Sequence, residues 1–470
     1  MNELLPEKTK NPLESGAIGK LIAKFAIPAI IGGLISAAYN IVDQIFIGQS
    51  VGLLGNAATN VAFPLVTISN SLALLFGVGS ASNFSLELGD KRKDSAVQFY
   101  GNGISLLLAS GILLFVIVLM FLQPLLLFFG ATEDVLPYAL TYTGITTFGL
   151  PFSMLSIGGG HLIRADGSPT YAMLSTASGA ILNCFLDPLF IFGFGMGIVG
   201  AAYATITGQI ISALLVLHYF RKKFKTTKLE RRHFRPSVSR AKIIASLGAA
   251  SCFNQLAMSL VQITLNNTLR SYGAASAYGS DIPLACVGVI SKVNVLFMAF
   301  VLGIAQGCQP IFGFNYGAKN YSRVRETYKK AATAVTVICM ISFLCFQIFP
   351  RQIVSIFGTG SELYFEFAEK YFRIYLLFTF INGIQPLTSN FFTSIGKAKM
   401  GIIMSLTRQI IFLLPLILIL PVFWGIDGVM YAGPIADAAA VALAGYFAWR
   451  EMKKMRIAET EQQQSRGFTV

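Results

Sequence analysis

Apolar residues gather into long runs, separated by short polar or glycine-rich turns, from about residue 21 to about residue 450. A helix rising ~1.5 Å per residue needs roughly 18–20 such residues to cross ~30 Å of hydrocarbon. Twelve runs reach that length, near 21–48, 57–87, 95–121, 134–160, 170–192, 197–220, 242–272, 281–312, 323–349, 362–393, 399–421 and 425–450. None alternates apolar and polar positions as a barrel strand does, and only helices and closed barrels satisfy their backbone inside a bilayer. The pattern predicts an all-α polytopic membrane protein with twelve transmembrane helices.

The punctuation between the runs repeats. L-E-L-G-D-K at 86–91 lies over F-N-Y-G-A-K at 314–319, and G-I-V-G-A-A-Y at 197–203 lies over G-I-D-G-V-M-Y at 425–431, both at a shift of 228. Gly79 then falls on Gly307, and Lys20 with its following run falls on Lys242 at a shift of 222. Matches in one order at nearly one shift indicate two six-helix lobes made by duplication. Because six is even, both copies point the same way, an internal parallel repeat with its axis along the membrane normal. The expected division is a cytoplasmic N-terminal segment at 1–20, an N-lobe at 21–220, a basic cytoplasmic linker at 221–241, a C-lobe at 242–450 and a cytoplasmic tail at 451–470.

Composition sharpens this picture. Of 470 residues 54% are hydrophobic and 12% charged, about half the charged fraction of soluble domains. In a soluble protein the net charge of +14 would point to nucleic acid. Here the basic residues crowd into alternate loops, with R-K-K-F-K and R-R-H-F-R-P between Arg221 and Lys242. There they set orientation, with both termini cytoplasmic, and favour anionic lipid head groups over nucleic acid as a partner. Trp424 and Trp449 bracket the last run as interfacial anchors would. The first twenty residues are polar and lack a signal-peptide core. All six cysteines lie in apolar runs with no C-x-x-C spacing, which reads as packing rather than as a disulfide framework or metal ligands.

The chemistry lies in the few polar groups that interrupt the runs. I-L-N-C-F-L-D-P-L-F-I-F-G, from Ile181 to Gly193, holds Asn183 and Asp187 on one helical face, with Pro188 directly after the acid. A carboxylate in so apolar a run should face the protein interior or a water-filled cavity, although a helix-end acid reaching interfacial water fits the same stretch. Counted from the outer span ends, Asp43, Tyr142, Asp187 and Thr205 share one layer roughly 8–12 Å below the surface. Carboxylates sharing a desolvated pocket can exchange a proton near neutral pH, and the same oxygens could coordinate Na⁺. For Tyr142 or Thr205 taken singly, helix packing explains the residue as well. The second half lacks these acids: Asp43 falls on Leu265, and Asp187 falls near Leu414 and Pro415. Ser36 and Asn40 fall on Met258 and Gln262 at the 222 shift, and these four are expected to line a substrate cavity between the lobes. Lys292, Arg408 and Asp437 share a depth near the bilayer middle, which predicts buried C-lobe charges with Asp437 paired to Lys292 or Arg408.

Several of these stretches resemble the multidrug and toxic compound extrusion (MATE) family, particularly its MepA-like and DinF-like bacterial branches. A-A-Y-N-I-V-D-Q-I-F-I-G is similar to the family's V-D-x-x-x-x-G signature, and N-C-F-L-D-P-L-F-I-F-G to its N-x-x-L-D-x-x-F-I-F-G stretch. I-R-A-D-G-S-P is similar to the R-G-x-G-x-x-x-P loop, with Ala165 in place of one glycine. G-I-A-Q-G-C-Q-P-I-F-G-F-N-Y-G-A-K, from Gly303 to Lys319, is the most specific match. Where some relatives place an asparagine in the fourth span, this chain has Gly160 and His161. The resemblance implies a multi-pass efflux antiporter in a prokaryotic plasma membrane. It would exchange H⁺ or Na⁺ for amphipathic, often cationic, compounds, with Asp43, Tyr142, Asn183, Asp187 and Thr205 as the coupling-ion site. No cofactor is implied, and a monomer is expected. A lipid-linked saccharide flippase of the same superfamily is the alternative that Lys292 and Arg408 keep open. An intramembrane enzyme is a remote third, because His161, His218 and His233 have no partner spacing for catalysis or a metal.

Overall fold

Twelve helical rods account for the twelve runs. In this computed structural model, which describes residues 12–227, 229–357 and 360–467, α1 is Ile18–Val51, α2 Leu53–Gly89 and α3 Lys93–Met120. α4 runs Leu136–Thr146, a 3-10 turn Thr147–Gly149, then Leu150–Ala165. α5 is Pro169–Pro188, continued by a π turn Leu189–Gly193. α6 is Gly197–His218, ending in a π turn Tyr219–Lys223. The second lobe follows with α7 Val238–Ala274, α8 Asp281–Gly317 and α9 Tyr321–Ile348. α10 is broken into Glu362–Tyr375, Thr379–Asn382 and Ile384–Ser394. α11 carries a π stretch Thr407–Leu413 between Ala398–Leu406 and Leu414–Trp424, and α12 is Ile426–Gly467. Ten of these are long and apolar enough to cross a membrane by themselves. The other two, α4 and α10, are interrupted just before Pro151 and Pro386, which lack the N–H that would carry a helix through. Part of the expected N-terminal segment, residues 1–11, lies outside the described residues, as do Lys228 of the linker and the last three residues of the tail. The described tail is helical, a continuation of α12.

The repeat is visible in the backbone. Among the described residues, the non-glycine positions with positive φ are Lys91 (62°) and Lys319 (56°), which are 228 apart and end α2 and α8. Gly197 (55°) and Gly425 (57°) are likewise 228 apart and open α6 and α12. α2 and α8 cross where no side chain would fit. A Cβ at Gly89 would stand 2.0 Å from the Phe314 carbonyl oxygen, and one at Gly317 would stand 2.1 Å from that of Leu86. These contacts exchange under the repeat, so the pseudo-axis passes between the two glycines.

The lobes meet on the face that carries the N-terminal segment. α1 packs on α8, with Gly33 against Ala299, and α2 packs on α7 as far as the Thr67–Ser259 hydroxyl contact at 3.5 Å. Further along the same helices Asn40, Gln262 and Asn266 are exposed, so a cleft opens toward the opposite face. Each lobe's leading segment lies on the other lobe. The short helix Pro12–Ser15 docks on the C-lobe, where Arg323 donates to the Leu13 and Gly16 carbonyls at 3.2 and 2.7 Å and Asn315 donates to Leu13 at 3.2 Å. Leu13, Ile18, Leu21 and Phe25 belong to the C-lobe core. The turn Arg231–Phe234 ahead of α7 docks on α3, where Asn102 and Ser105 donate to the His233 and Phe234 carbonyls at 3.3 and 2.8 Å. Exposed Trp424 and Trp449 stand near the ends of the membrane part of α12.

Candidate functional site

Close helix crossing creates the N-lobe site. α5 and α6 meet at Gly179 and Gly208, where a Cβ on either would fall 2.4 or 2.6 Å from the other's carbonyl oxygen. That approach brings Asn183, one turn further along α5, to the Thr205 backbone. In the amide orientation that satisfies both ends, Asn183 donates to Asp187 at 3.1 Å and accepts from the Thr205 N–H at 3.2 Å. Pro188 follows at once. It cannot donate to the Cys184 carbonyl, and the helix loosens into the π turn Leu189–Gly193, a distortion that often marks functional positions.

Asp187 and Asn183 are fully buried, and Asp43 is 8% exposed. The Asp43 and Asp187 carboxyls are near enough for each to feel the other's charge. One oxygen of Asp43 is buried without a hydrogen-bond partner, and no ion pair to either acid forms among the described residues. Tyr142 packs against Ile47, Ile191 and Ala201 in the neighbourhood of both acids. Of the five residues expected in the layer, Asn183, Asp187 and Thr205 are joined directly, with Asp43 and Tyr142 nearby.

A sixth group joins them. Tyr39 stands one helical turn before Asp43 and feels the charge of both carboxyls. Its spacing of four from Asp43 was the signal for it in the sequence, and the depth count passed over it. Beneath the layer, a cavity of about 320 Å³ runs into the N-lobe, lined by Ser36, Tyr39, Asn40, Asn183, Thr205 and Gln209 among others.

The four expected cavity residues border two recesses that open to the inter-lobe cleft. Ser36 and Asn40 face this N-lobe cavity, whereas Met258 and Gln262 face a separate C-lobe cavity of about 100 Å³. The repeat relates the pairs, one in each lobe, and Asn40, Met258 and Gln262 are exposed at the cleft between them. Of the two partners expected for Asp437, the structure takes Arg408, and the expected burial of Lys292 is overturned. Arg408 donates through Nε to Asp437 at 2.5 Å, while Lys292 is exposed on α8 and takes no part. Depth fixes a residue's height on a helix but not the direction it faces, and no ion pair joins Lys292 to Asp437 among the described residues.

Two further stretches acquire structural roles. Asp166, in the loop after α4, is buried and ties down the linker. It accepts from the Tyr219 hydroxyl at 2.7 Å, from the backbone of Lys225 and Thr226 at 2.8 and 3.2 Å, and from the Thr226 hydroxyl at 2.7 Å. His161 is buried on the second half of α4, nineteen residues beyond Tyr142. The six cysteines are all free.

Comparison with known proteins gives the same architecture. The chain is 24% identical over 446 residues to the multidrug export protein MepA of Staphylococcus haemolyticus, covering 94% of this chain and 96% of the relative. It is 25% identical over 436 residues to MepA of Staphylococcus aureus strain MSSA476, covering 92% and 93%. Among solved structures, it matches an outward-facing multidrug resistance MATE family transporter of the MOP superfamily with a TM-score of 0.88 at 24% identity, over 94% of this chain and 98% of that one. It matches a MOP superfamily transporter from Pyrococcus furiosus, described as having a binding pocket of reverse polarity suggesting a different function, with a TM-score of 0.87 at 24% identity, over 95% and 98%. The MatE family profile matches residues 28–189 and 250–419. That match takes in the acid layer on α1 and α5 and most of both lobes, and the chain is a multi-pass membrane protein belonging to the MatE family.

Proposed function

We propose that this protein is a cation-coupled multidrug efflux antiporter, exchanging H⁺ or Na⁺ for amphipathic, often cationic, compounds by alternating access. The observation that carries the reading is the Asp43–Asp187 pair, buried beside an inter-lobe cleft with no fixed cation to neutralise it. Such a pair releases and takes up a cation at low cost, because its own charges cannot both be satisfied without one. Asn183, Thr205, Tyr142 and Tyr39 supply the remaining oxygens and donors around the exchanged ion. In this reading the face bearing the N-terminal segment is cytoplasmic, both termini lie in the cytoplasm of a prokaryotic cell, and the cleft faces outward. The chain works as a monomer, without a cofactor and without catalysing a reaction.

Purified protein in liposomes, given a dye and either a pH gradient or a Na⁺ gradient alone, tests the reading and selects the ion. Extrusion driven by one gradient and lost in Asp187→Asn supports it. Extrusion that ignores both gradients overturns it. The second reading, a flippase for lipid-linked saccharides, is favoured by exposed Lys292 and cavity-lining Arg408. It requires loss of a glycan product, not of drug resistance, when the protein is removed.

A further inference from the structure

The C-lobe ion pair is asymmetric in a way that a purely structural pair need not be. An arginine in the middle of a span is costly unless its donors are satisfied. Of the five N–H donors of Arg408, only Nε is engaged, and no other hydrogen bond from this side chain forms among the described residues. Its side chain keeps 17% exposure, whereas that of Asp437 keeps 3%. Arg408 lines the C-lobe cavity and Asp437 does not, so the acid stands behind the guanidinium and aims it. The remaining polar lining includes Gln262, Ser291, Asn294, Asn382 and Gln409, with no Asp or Glu among the lining residues. The cavity, of about 100 Å³, opens past exposed Met258 and Gln262 at the cleft.

We propose that this cavity is a subsite for the carboxylate of a zwitterionic or anionic amphiphile, received by the free Nη edge of Arg408 with side-chain amides beside it. A planar fork suits a carboxylate, and Asp437 holds that fork in place from behind. Dipoles and one cation line the space, so an anionic end gains there what a cationic end would lose. The assignment rests on the efflux reading and names one substrate class within it.

The test compares export of a fluoroquinolone, zwitterionic at neutral pH, with export of its methyl ester, which lacks the carboxylate, by the full chain in cells without other pumps. Arg408→Gln combined with Asp437→Asn removes the fork without stranding a charge. The acid-to-ester ratio of efflux rates should fall about tenfold, as expected for loss of one charge-assisted hydrogen bond. An unchanged ratio overturns the assignment, as does a parent protein that exports the ester but never the acid; both leave the efflux reading standing. A parent that exports neither compound nor dye removes the efflux reading and the subsite with it. If the double variant does not reach the membrane, Ser291→Leu, which fills the cavity and leaves the ion pair intact, must lower the same ratio.

Discussion

In the N-lobe two carboxyls share a buried layer with no basic side chain paired to them among the described residues, above a cavity of about 320 Å³. In the C-lobe one carboxyl is locked to a guanidinium, beside a cavity of about 100 Å³ flanked by the stacked rings of Tyr371 and Tyr375, 4.7 Å apart. The positions correspond. At the 228 shift Asp437 falls on Gln209, a lining residue of the N-lobe cavity, and Arg408 falls on Ala180, another. Duplication kept the backbone closely enough to reproduce φ at Lys91 and Lys319, yet the two halves now treat a buried acid oppositely. A carboxyl without a fixed partner can change its charge and leave nothing stranded; one paired to arginine cannot. The duplicated frame thus holds one half with an adjustable charge and one with a fixed charge.

The comparison breaks most visibly at Asp187. Asp187→Asn should reduce gradient-driven dye efflux to that of empty liposomes while leaving insertion and yield unchanged; near-parental efflux would return Asp187 to a helix-end role. Asp43→Asn should be almost as damaging, because the two acids share one layer. Next comes Asp437→Asn, which strands Arg408 and should cost about 3–5 kcal/mol of stability, read as a lower melting temperature and a lower yield of purified protein. Adding Arg408→Met should restore most of that loss, and adding Lys292→Met should restore none. A smaller effect is expected for Tyr39→Phe, which keeps the ring and removes the hydroxyl one helical turn from Asp43. Efflux should fall severalfold, with a displaced pH profile; a parental profile would make Tyr39 a packing residue. Smallest is Lys292→Met, whose exposed side chain should move stability by no more than about 0.5 kcal/mol, measured by thermal unfolding.

Much of the fold could be read from hydropathy because a bilayer imposes one length and one backbone solution on every span. The duplication was equally plain, since turn residues such as Gly197 and Gly425 hold the backbone conformations that the repeat requires. Helix breaks were harder to see. Nothing in the apolar pattern announces the 3-10 turn at Thr147–Gly149 or the π stretch at Thr407–Leu413, because hydrophobicity is blind to which backbone bonds are missing. At the candidate site, height could be counted but rotation could not. Asp43, Asp187 and Thr205 share a height and do meet; Lys292 and Arg408 share a height and do not, because helix rotation is set by packing such as the Gly179–Gly208 crossing. The role of Asp166 was hidden for another reason: its partners lie some sixty residues away in the linker.

The crossed docking of the leading segments bears on what joins the two halves. Cleaving the linker would remove one peptide bond, but Pro12–Ser15 would stay seated under Arg323, and Arg231–Phe234 would stay against Asn102 and Ser105. Each half carries a piece that the other needs to complete its surface, so two separately made fragments have a built-in reason to assemble as a pair and little reason to persist alone. Chain continuity supplies equal amounts of the two halves; their mutual recognition is written into the segments they exchange.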